Sequence, residues 1–243
     1  MIASAVRITV YYVRMTLILG AMDGEIAAFL QVVSGQVQEK WHGFAVVRGT
    51  LDARQVVVAK SGVGKSLSAA VTQHLIDRYA PNRVIFTGLA GAIAPEIEPG
   101  DTLVARDCLQ YDLDATALGF KLGEVPYTPH RILASDPALV EIARRYQPAQ
   151  GRLVVGRVLT GDRFLVESGA PQFEYLRRDL QGDAVEMEGA SVALVATVNR
   201  VPFVIVRTIS DRADGNADID FNAFLADASR NSLACVRHIL AHC

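Results

Sequence analysis

Several short runs along the chain are apolar without alternation: TLILGA (16–21), QVVVAKS (55–61), RVIFTGL (83–89), TLVARD (102–107), RLVVGRVLT (152–160), DAVEM (183–187) and PFVIVRTIS (202–210). A strand with one wet face alternates polar and apolar positions, so unbroken β-branched runs predict strands buried on both faces. Between them, apolar residues recur every three to four positions in KSLSAAVTQHLIDRYA (65–80), SDPALVEIARRY (135–146), GASVALVATVNR (189–200) and FNAFLADASRNSLACVRHILA (221–241), the spacing of helices. Strands alternating with helices predict an α/β chain with a largely parallel sheet covered by helices. Residues 35–51 differ: Trp41, His42 and Gly43 separate two polar-apolar stretches, which predicts an antiparallel hairpin and so a mixed sheet. Ser135, Asp136 and Pro137 give a cap followed by a first-turn proline, a helix start. No repeat or linker divides the pattern, so one domain is expected.

Composition narrows the function classes. Hydrophobic residues make up 51% of the 243 and charged residues 21%, enough apolar material for a large core. Lys and Arg number 24 against 26 Asp and Glu, which provides no basic field for a phosphate backbone, so nucleic acid is not an expected partner. Cys108, Cys235 and Cys243 are too few and too scattered for a disulfide framework or a zinc site, which points to a reducing cytoplasm. The stretch IASAVRITVYYV is interrupted by Arg7 and closed by Arg14, so it reads neither as a signal peptide nor as a membrane span. Residues 1–14 are expected to be an extension, as an extra strand, a disordered tail or an unused upstream start, ahead of a domain at 15–243.

In open α/β sheets ligands bind at the carboxyl ends of the strands. Those ends carry Met22 to Glu25, Ala90 with Gly91, Glu188, and Asp211. In AVEMEGA (184–190) residues two apart share a strand face, so Glu186 and Glu188 project together, with Met187 opposite, unless the chain turns into a helix there. Two acids at an apolar strand end need partners or a ligand, because a buried carboxylate is costly alone; helix-terminus electrostatics is the plainer explanation for Glu188. In RTISDRAD (207–214) Ser210 and Asp211 close the most apolar strand. Capping explains them poorly if Arg212 to Asn216 form a loop, and desolvation there would favour a neutral carboxyl, a general acid. Ala59 to Ser66 (AKSGVGKS) departs from the phosphate-loop pattern by its first residue. It lacks a convincing acidic strand end for magnesium, so a glycine turn between strand and helix is preferred to a nucleotide-hydrolysing site. His238 and His242 lie four apart but have no evident third ligand, and His42, His74 and His130 have no nucleophile partner, so no metal or cofactor is expected.

The order GAMDGE (20–25), SGVGK (61–65), TGLAGA (87–92), GDRF (161–164), VEMEG (185–189) and VRTISD (206–211) resembles the 5'-methylthioadenosine/S-adenosylhomocysteine nucleosidases, from about Met15 to the last helix. The resemblance implies a three-layer αβα sandwich around a central twisted mixed sheet, nucleoside phosphorylase-like, and hydrolysis of a purine N-glycosidic bond. It implies roles residue by residue: Glu25 as the base that activates water, Asp211 as the acid that protonates the adenine N7, and Glu188 as the holder of the ribose hydroxyls. Met187 would pack on the sugar, Phe164 stack on the base and the Leu165 backbone read its edge. Glu186, Arg207 and Ser210 would support these groups, with Val63 and Phe221 at the sugar and 5' substituent. Leu118, Phe120 and Pro126 would complete a neighbouring subunit's pocket, which implies a homodimer.

Glycosidic cleavage builds positive charge on the sugar and negative charge on the departing base, so one proton donor and two anions meet its electrostatic demand. Two features depart from the family's usual pattern. Leu89, beside Ala90 and Gly91, stands where serine is more usual, removing a polar contact near the attacking water, and Leu118 and Phe120 replace Phe and Tyr. Phe86 to Leu89 also lack the arginine and hydroxyl with which a phosphorylase would hold phosphate, which favours hydrolysis. The alternatives are a futalosine or aminodeoxyfutalosine hydrolase and a nucleoside-binding protein of the same fold with weakened turnover.

Overall fold

A computed structural model of the chain describes residues 14–165, 169–212 and 217–243, with side chains described for all of these but 217–224. The expected extension at 1–14 falls outside the described residues except for Arg14. In chain order the elements are β1 (Met15–Gly20), α1 (Asp23–Val32), β2 (Ser34–Trp41), β3 (Phe44–Leu51), β4 (Arg54–Lys60), α2 (Lys65–Tyr79), β5 (Arg83–Ala92) and β6 (Thr102–Gln110). There follow β7 (Leu133–Ala134), α3 (Pro137–Arg144), β8 (Leu153–Thr160), α4 (Glu174–Arg178), β9 (Ala184–Glu186), α5 (Gly189–Val198), β10 (Phe203–Asp211) and α6 (Ala217–Ala241).

Side chains of successive strand residues point to opposite faces, and here both faces are buried. Leu17, Leu19, Val57, Val84, Phe86 and Ile205 face the layer of α2 and α5, packing with Val71, Leu75 and Val192. Ile18, Val56, Val58, Ile85, Val204 and Val206 face the layer of α1, α3 and α6, against Phe29, Leu139, Val236 and Ile239. The three-layer αβα sandwich is thus a consequence of unbroken apolar strands. Each such side chain, fully buried, contributes roughly 1.5–3 kcal/mol.

Pairings β1–β4, β1–β5, β5–β10, β6–β8 and β8–β9 are parallel, whereas β2–β3, β3–β4, β5–β9, β6–β7 and β6–β10 are antiparallel. The sheet is therefore mixed well beyond the expected hairpin. That hairpin is present, with His42 (φ 44°) and Gly43 (φ 88°) both left-handed, as a two-residue turn matched to strand twist requires. Strands β5, β10, β6, β8 and β9 pair around a closed cycle, because β5 runs three residues past the predicted end at Leu89 to pair Gly91 with Val185 and Ala92 with Ala184. At α3 the Asp136 carboxylate accepts from the Ala138 and Leu139 N–H groups, each at 3.0 Å, with Pro137 in the first turn. Helix α1, not foreseen from the sequence, follows β1 directly.

Candidate active site

The carboxyl ends of β1, β4, β5, β8, β9 and β10 converge on one cavity of about 500 Å³. Glu25, Arg163, Glu186, Glu188, Ser210 and Asp211 supply its polar side chains, and Val63, Leu89, Ala90, Phe164, Leu165 and Met187 most of its apolar wall.

Glu25 is held from the backbone. It is the third residue of α1, and its Oε2 accepts the N–H groups of Ala21 (2.6 Å) and Met22 (3.0 Å), so the side chain caps the start of its own helix. Oε1 accepts the Leu89 N–H at 2.9 Å, fastening α1 to β5. Three donors fill three of the roughly four acceptor positions of a carboxylate, leaving about one open in the cavity. Burial raises the Glu25 pKa above the usual carboxylate value, against the opposing pull of Arg207 and the three N–H groups. Gly88 is what permits this approach: a Cβ there would collide with Glu25 Oε1 and Arg207 Nη1, and its φ of 151° is unfavourable for other residues.

Across the cavity two acids stand side by side. Strand β9 stops at Glu186 and α5 starts at Gly189, so the chain turns at Met187 and Glu188. Glu186, Met187 and Glu188 consequently all reach the cavity, and Met187 does not point away as an extended strand would make it. The Glu186 carboxylate is paired with the fully buried Arg207, accepts from the Thr160 hydroxyl, and caps α5 through the N–H groups of Glu188 (3.1 Å) and Gly189 (2.7 Å). Arg207 also lies over the Phe86 ring, 4.1 Å from its centroid. Glu188 accepts from the Gly64 N–H at 2.9 Å. Burial, and then the neighbouring Glu186 carboxylate, push its pKa up to about 8. Asp211, buried at the end of β10, accepts a 2.6 Å hydrogen bond from the Ser210 hydroxyl, beside a bulge in the β5–β10 register.

The structure gathers Glu25, Val63, Leu89, Ala90, Gly91, Phe164, Leu165, Glu186, Met187, Glu188, Ser210 and Asp211 around this cavity. Arg207 stands behind Glu186 and does not line it; the side chain of Phe221 lies outside the described residues. Leu118, Phe120 and Pro126 do not line it either: Leu118 is 70% exposed, and Phe120 packs edge-on against Tyr127. Ala21, Met22, Arg163 and Val185 also line the cavity; all four lie within the sequence motifs, and Met22 at a strand end, but none was expected to have a role of its own.

The phosphate-loop-like turn has its helix N-terminus occupied by protein carboxylates, Gly64 N–H serving Glu188 and Lys65 N–H serving Asp162 (2.8 Å). A helix N-terminus already neutralised in this way does not cradle a phosphate. His238 Nε2 contacts the Ile142 carbonyl at 3.1 Å and His242 Nδ1 the His238 carbonyl at 2.8 Å, so each histidine is engaged by backbone.

A family model described as the phosphorylase superfamily matches residues 16–241. The 5'-methylthioadenosine/S-adenosylhomocysteine nucleosidase of Shewanella loihica is 32% identical over 227 residues, covering 93% of this chain and 98% of the relative. The enzyme of the same name from Neisseria meningitidis, solved in complex with methylthio-immucillin-A, superposes with a TM-score of 0.87 at 33% identity, covering 93% of this chain and 98% of that one. The futalosine hydrolase of Helicobacter pylori superposes equally, with a TM-score of 0.87 at 29% identity, covering 95% and 99%.

Proposed function

Given that the chain belongs to the phosphorylase superfamily and, within it, to the 5'-methylthioadenosine/S-adenosylhomocysteine nucleosidases, we infer that it hydrolyses the N-glycosidic bonds of these two nucleosides, releasing adenine. The observation that carries the chemistry is the placement of Glu25, Glu188 and Asp211 on one largely apolar cavity.

Each acid suits a different task. Glu25 has one acceptor position left after its three N–H bonds, and that position takes the attacking water. Its raised pKa makes it a stronger proton acceptor than an exposed carboxylate, the direction a general base requires. Asp211, oriented by Ser210, protonates the purine N7 as the bond to the sugar breaks, so adenine leaves neutral. Glu188, fixed by Gly64, accepts from the ribose hydroxyls and, when ionised, offsets the positive charge growing on the sugar. Phe164 stacks on the base, the Leu165 backbone reads its edge, and Met187 and Val63 contact the sugar side. General acid or base assistance is worth on the order of 10²–10⁴-fold for each group.

The protein acts as a homodimer in which Leu118, Phe120 and Pro126 reach the neighbouring pocket; the exposure of Leu118 (70%) and Tyr127 (88%) on one segment supports this. A reducing cytoplasm suits its unpaired cysteines, and among the described residues no helix is long and apolar enough to cross a membrane.

The test is adenine release in phosphate-free buffer from methylthioadenosine, S-adenosylhomocysteine and futalosine side by side. Release from the first two without added phosphate is expected. Release that requires phosphate, or faster turnover of futalosine, would overturn the assignment.

A further inference from the structure

Lys65, the lysine of the phosphate-loop-like turn, has a different task in this fold. Its ammonium lies 2.5 Å from Asp112 Oδ1 and 3.9 Å from Asp162 Oδ2, and its side chain is only 18% exposed. The other oxygen of Asp112 accepts the Asp162 N–H at 2.8 Å, and Asp162 Oδ1 in turn accepts the Lys65 N–H at 2.8 Å. These contacts form a closed loop of three residues. It joins the N-terminus of α2, the segment after β6 and the segment after β8. None of the three residues lines the cavity.

The loop's position gives it a purpose. Asp162 immediately precedes Arg163, Phe164 and Leu165, which do line the cavity, and Gly64, beside Lys65, donates to Glu188. The same segment is also tied down elsewhere: Gly161 N–H bonds the Glu186 carbonyl (3.1 Å), the Tyr111 hydroxyl donates to the Arg163 carbonyl (3.5 Å), the Arg163 guanidinium lies over the Phe173 ring, and Leu165 is buried against Tyr111, Leu159 and Phe173. Gly161 itself lies against the Tyr111 ring, where a Cβ would collide. Phe164 is 47% exposed and lines the cavity, so its presentation depends on the backbone that carries it.

We propose that Lys65, Asp112 and Asp162 are positioning residues: their closed loop of hydrogen bonds and ion pairs holds the 161–165 segment so that Phe164 and Leu165 present a ready-made face to the purine. This rests on the nucleosidase reading and extends it to residues away from the reacting atoms. Preorganisation of this kind acts on binding of the base more than on bond breaking. Asp112→Asn turns one amide donor toward either the Lys65 ammonium or the Asp162 N–H, and Lys65→Met removes the bridging charge while keeping its aliphatic length.

The experiment is a double-mutant cycle between Asp112→Asn and Phe164→Leu, repeated with Lys65→Met, reading kcat, KM and calorimetric binding of adenine. Each single variant is expected to raise KM and the adenine Kd by about tenfold with kcat within about threefold, and the double variant to be no worse than the worse single. Lys65→Arg should recover most of the loss. Multiplicative losses in the doubles, or a fall in kcat with KM unchanged, would overturn the proposal. If the wild-type protein binds adenine but releases none from nucleosides, the nucleosidase reading fails alone, because the adenine cycle still reads the clasp. A protein that does not bind adenine overturns both.

Discussion

Two walls of the same cavity hold buried carboxylates by opposite means. On the wall built by β1, α1 and β5, Glu25 hangs on three backbone N–H groups and, among the described residues, has no second acid hydrogen-bonded to it. On the wall built by β9 and α5, Glu188 has one N–H donor and a carboxylate neighbour, Glu186, which is ion-paired with Arg207. Backbone donors fix a carboxylate's place without adding a charge, whereas the neighbouring acid adds a repulsion that Arg207 offsets only in part. The first arrangement yields a stationary acceptor. The second yields a carboxylate whose pKa is pushed well above the usual range, by burial first and by Glu186 second.

The largest test of this contrast compares Glu25→Gln with Asp211→Asn. Both should lower kcat by about 10²–10⁴-fold in steady-state assays of adenine release, since each removes one proton-transferring group. Glu25→Gln should also lose a contact to the fold, because an amide nitrogen would face one of the three N–H donors, and its melting temperature should drop while that of Asp211→Asn holds.

A smaller effect separates the walls by pH. Burial, and then the Glu186 carboxylate, push the Glu188 pKa from the usual 4.5 up to about 8. The folded state therefore binds more protons than the unfolded chain between those values, and the stability Glu188 contributes, full below about pH 4.5, is lost as pH rises through about 8. Glu25 acts in the same direction. Glu188→Gln should flatten this slope in urea titrations run from pH 5 to 9 (~5 to ~9) and unfold later than wild type at the alkaline end. A slope unchanged by the substitution would mean that burial and Glu186 together do not raise the Glu188 pKa as assigned.

The smallest effect concerns Leu89, whose N–H serves Glu25 while its side chain lines the cavity. Leu89→Ser keeps the N–H and adds a hydroxyl beside the water position. A gain in kcat of up to about tenfold, the worth of one added hydrogen bond, is expected from burst and steady-state measurements. Loss of activity would show that the apolar wall, and not the extra donor, limits the reaction.

How much of this was legible in the sequence depends on how local each cause is. The strands were readable because Leu17, Ile18 and Leu19 bury both faces, so no alternation disguised them. Glu188 and Asp211 were readable because acids that end apolar strands contradict their surroundings. Helix α1 was not, since its cap is Met22, a residue with no side-chain oxygen, and the capping function passes to Glu25, two residues into the helix. The turn that brings Met187 into the cavity beside both acids depends on where β9 stops, and strand ends are set by partners distant in the chain. For the same reason the pairing of β5 with both β9 and β10, which needs Gly91 and Ala92 to continue the strand, has no local signal.

That closed cycle of β5, β10, β6, β8 and β9 governs where the molecule can breathe. A strand inside a ring has no edge from which to peel, so its amides exchange with solvent only through opening of the ring itself. Hairpin β2–β3 sits at the free end of the sheet order and can detach without disturbing that ring. Asp211 ends a ring strand and Glu188 follows one by two residues, while Glu25 follows β1, which lies between the two parts. Amide exchange should therefore rank the acids in the same order, with the groups that grip sugar and base in the slowest cooperative unit and the group that holds water one strand outside it.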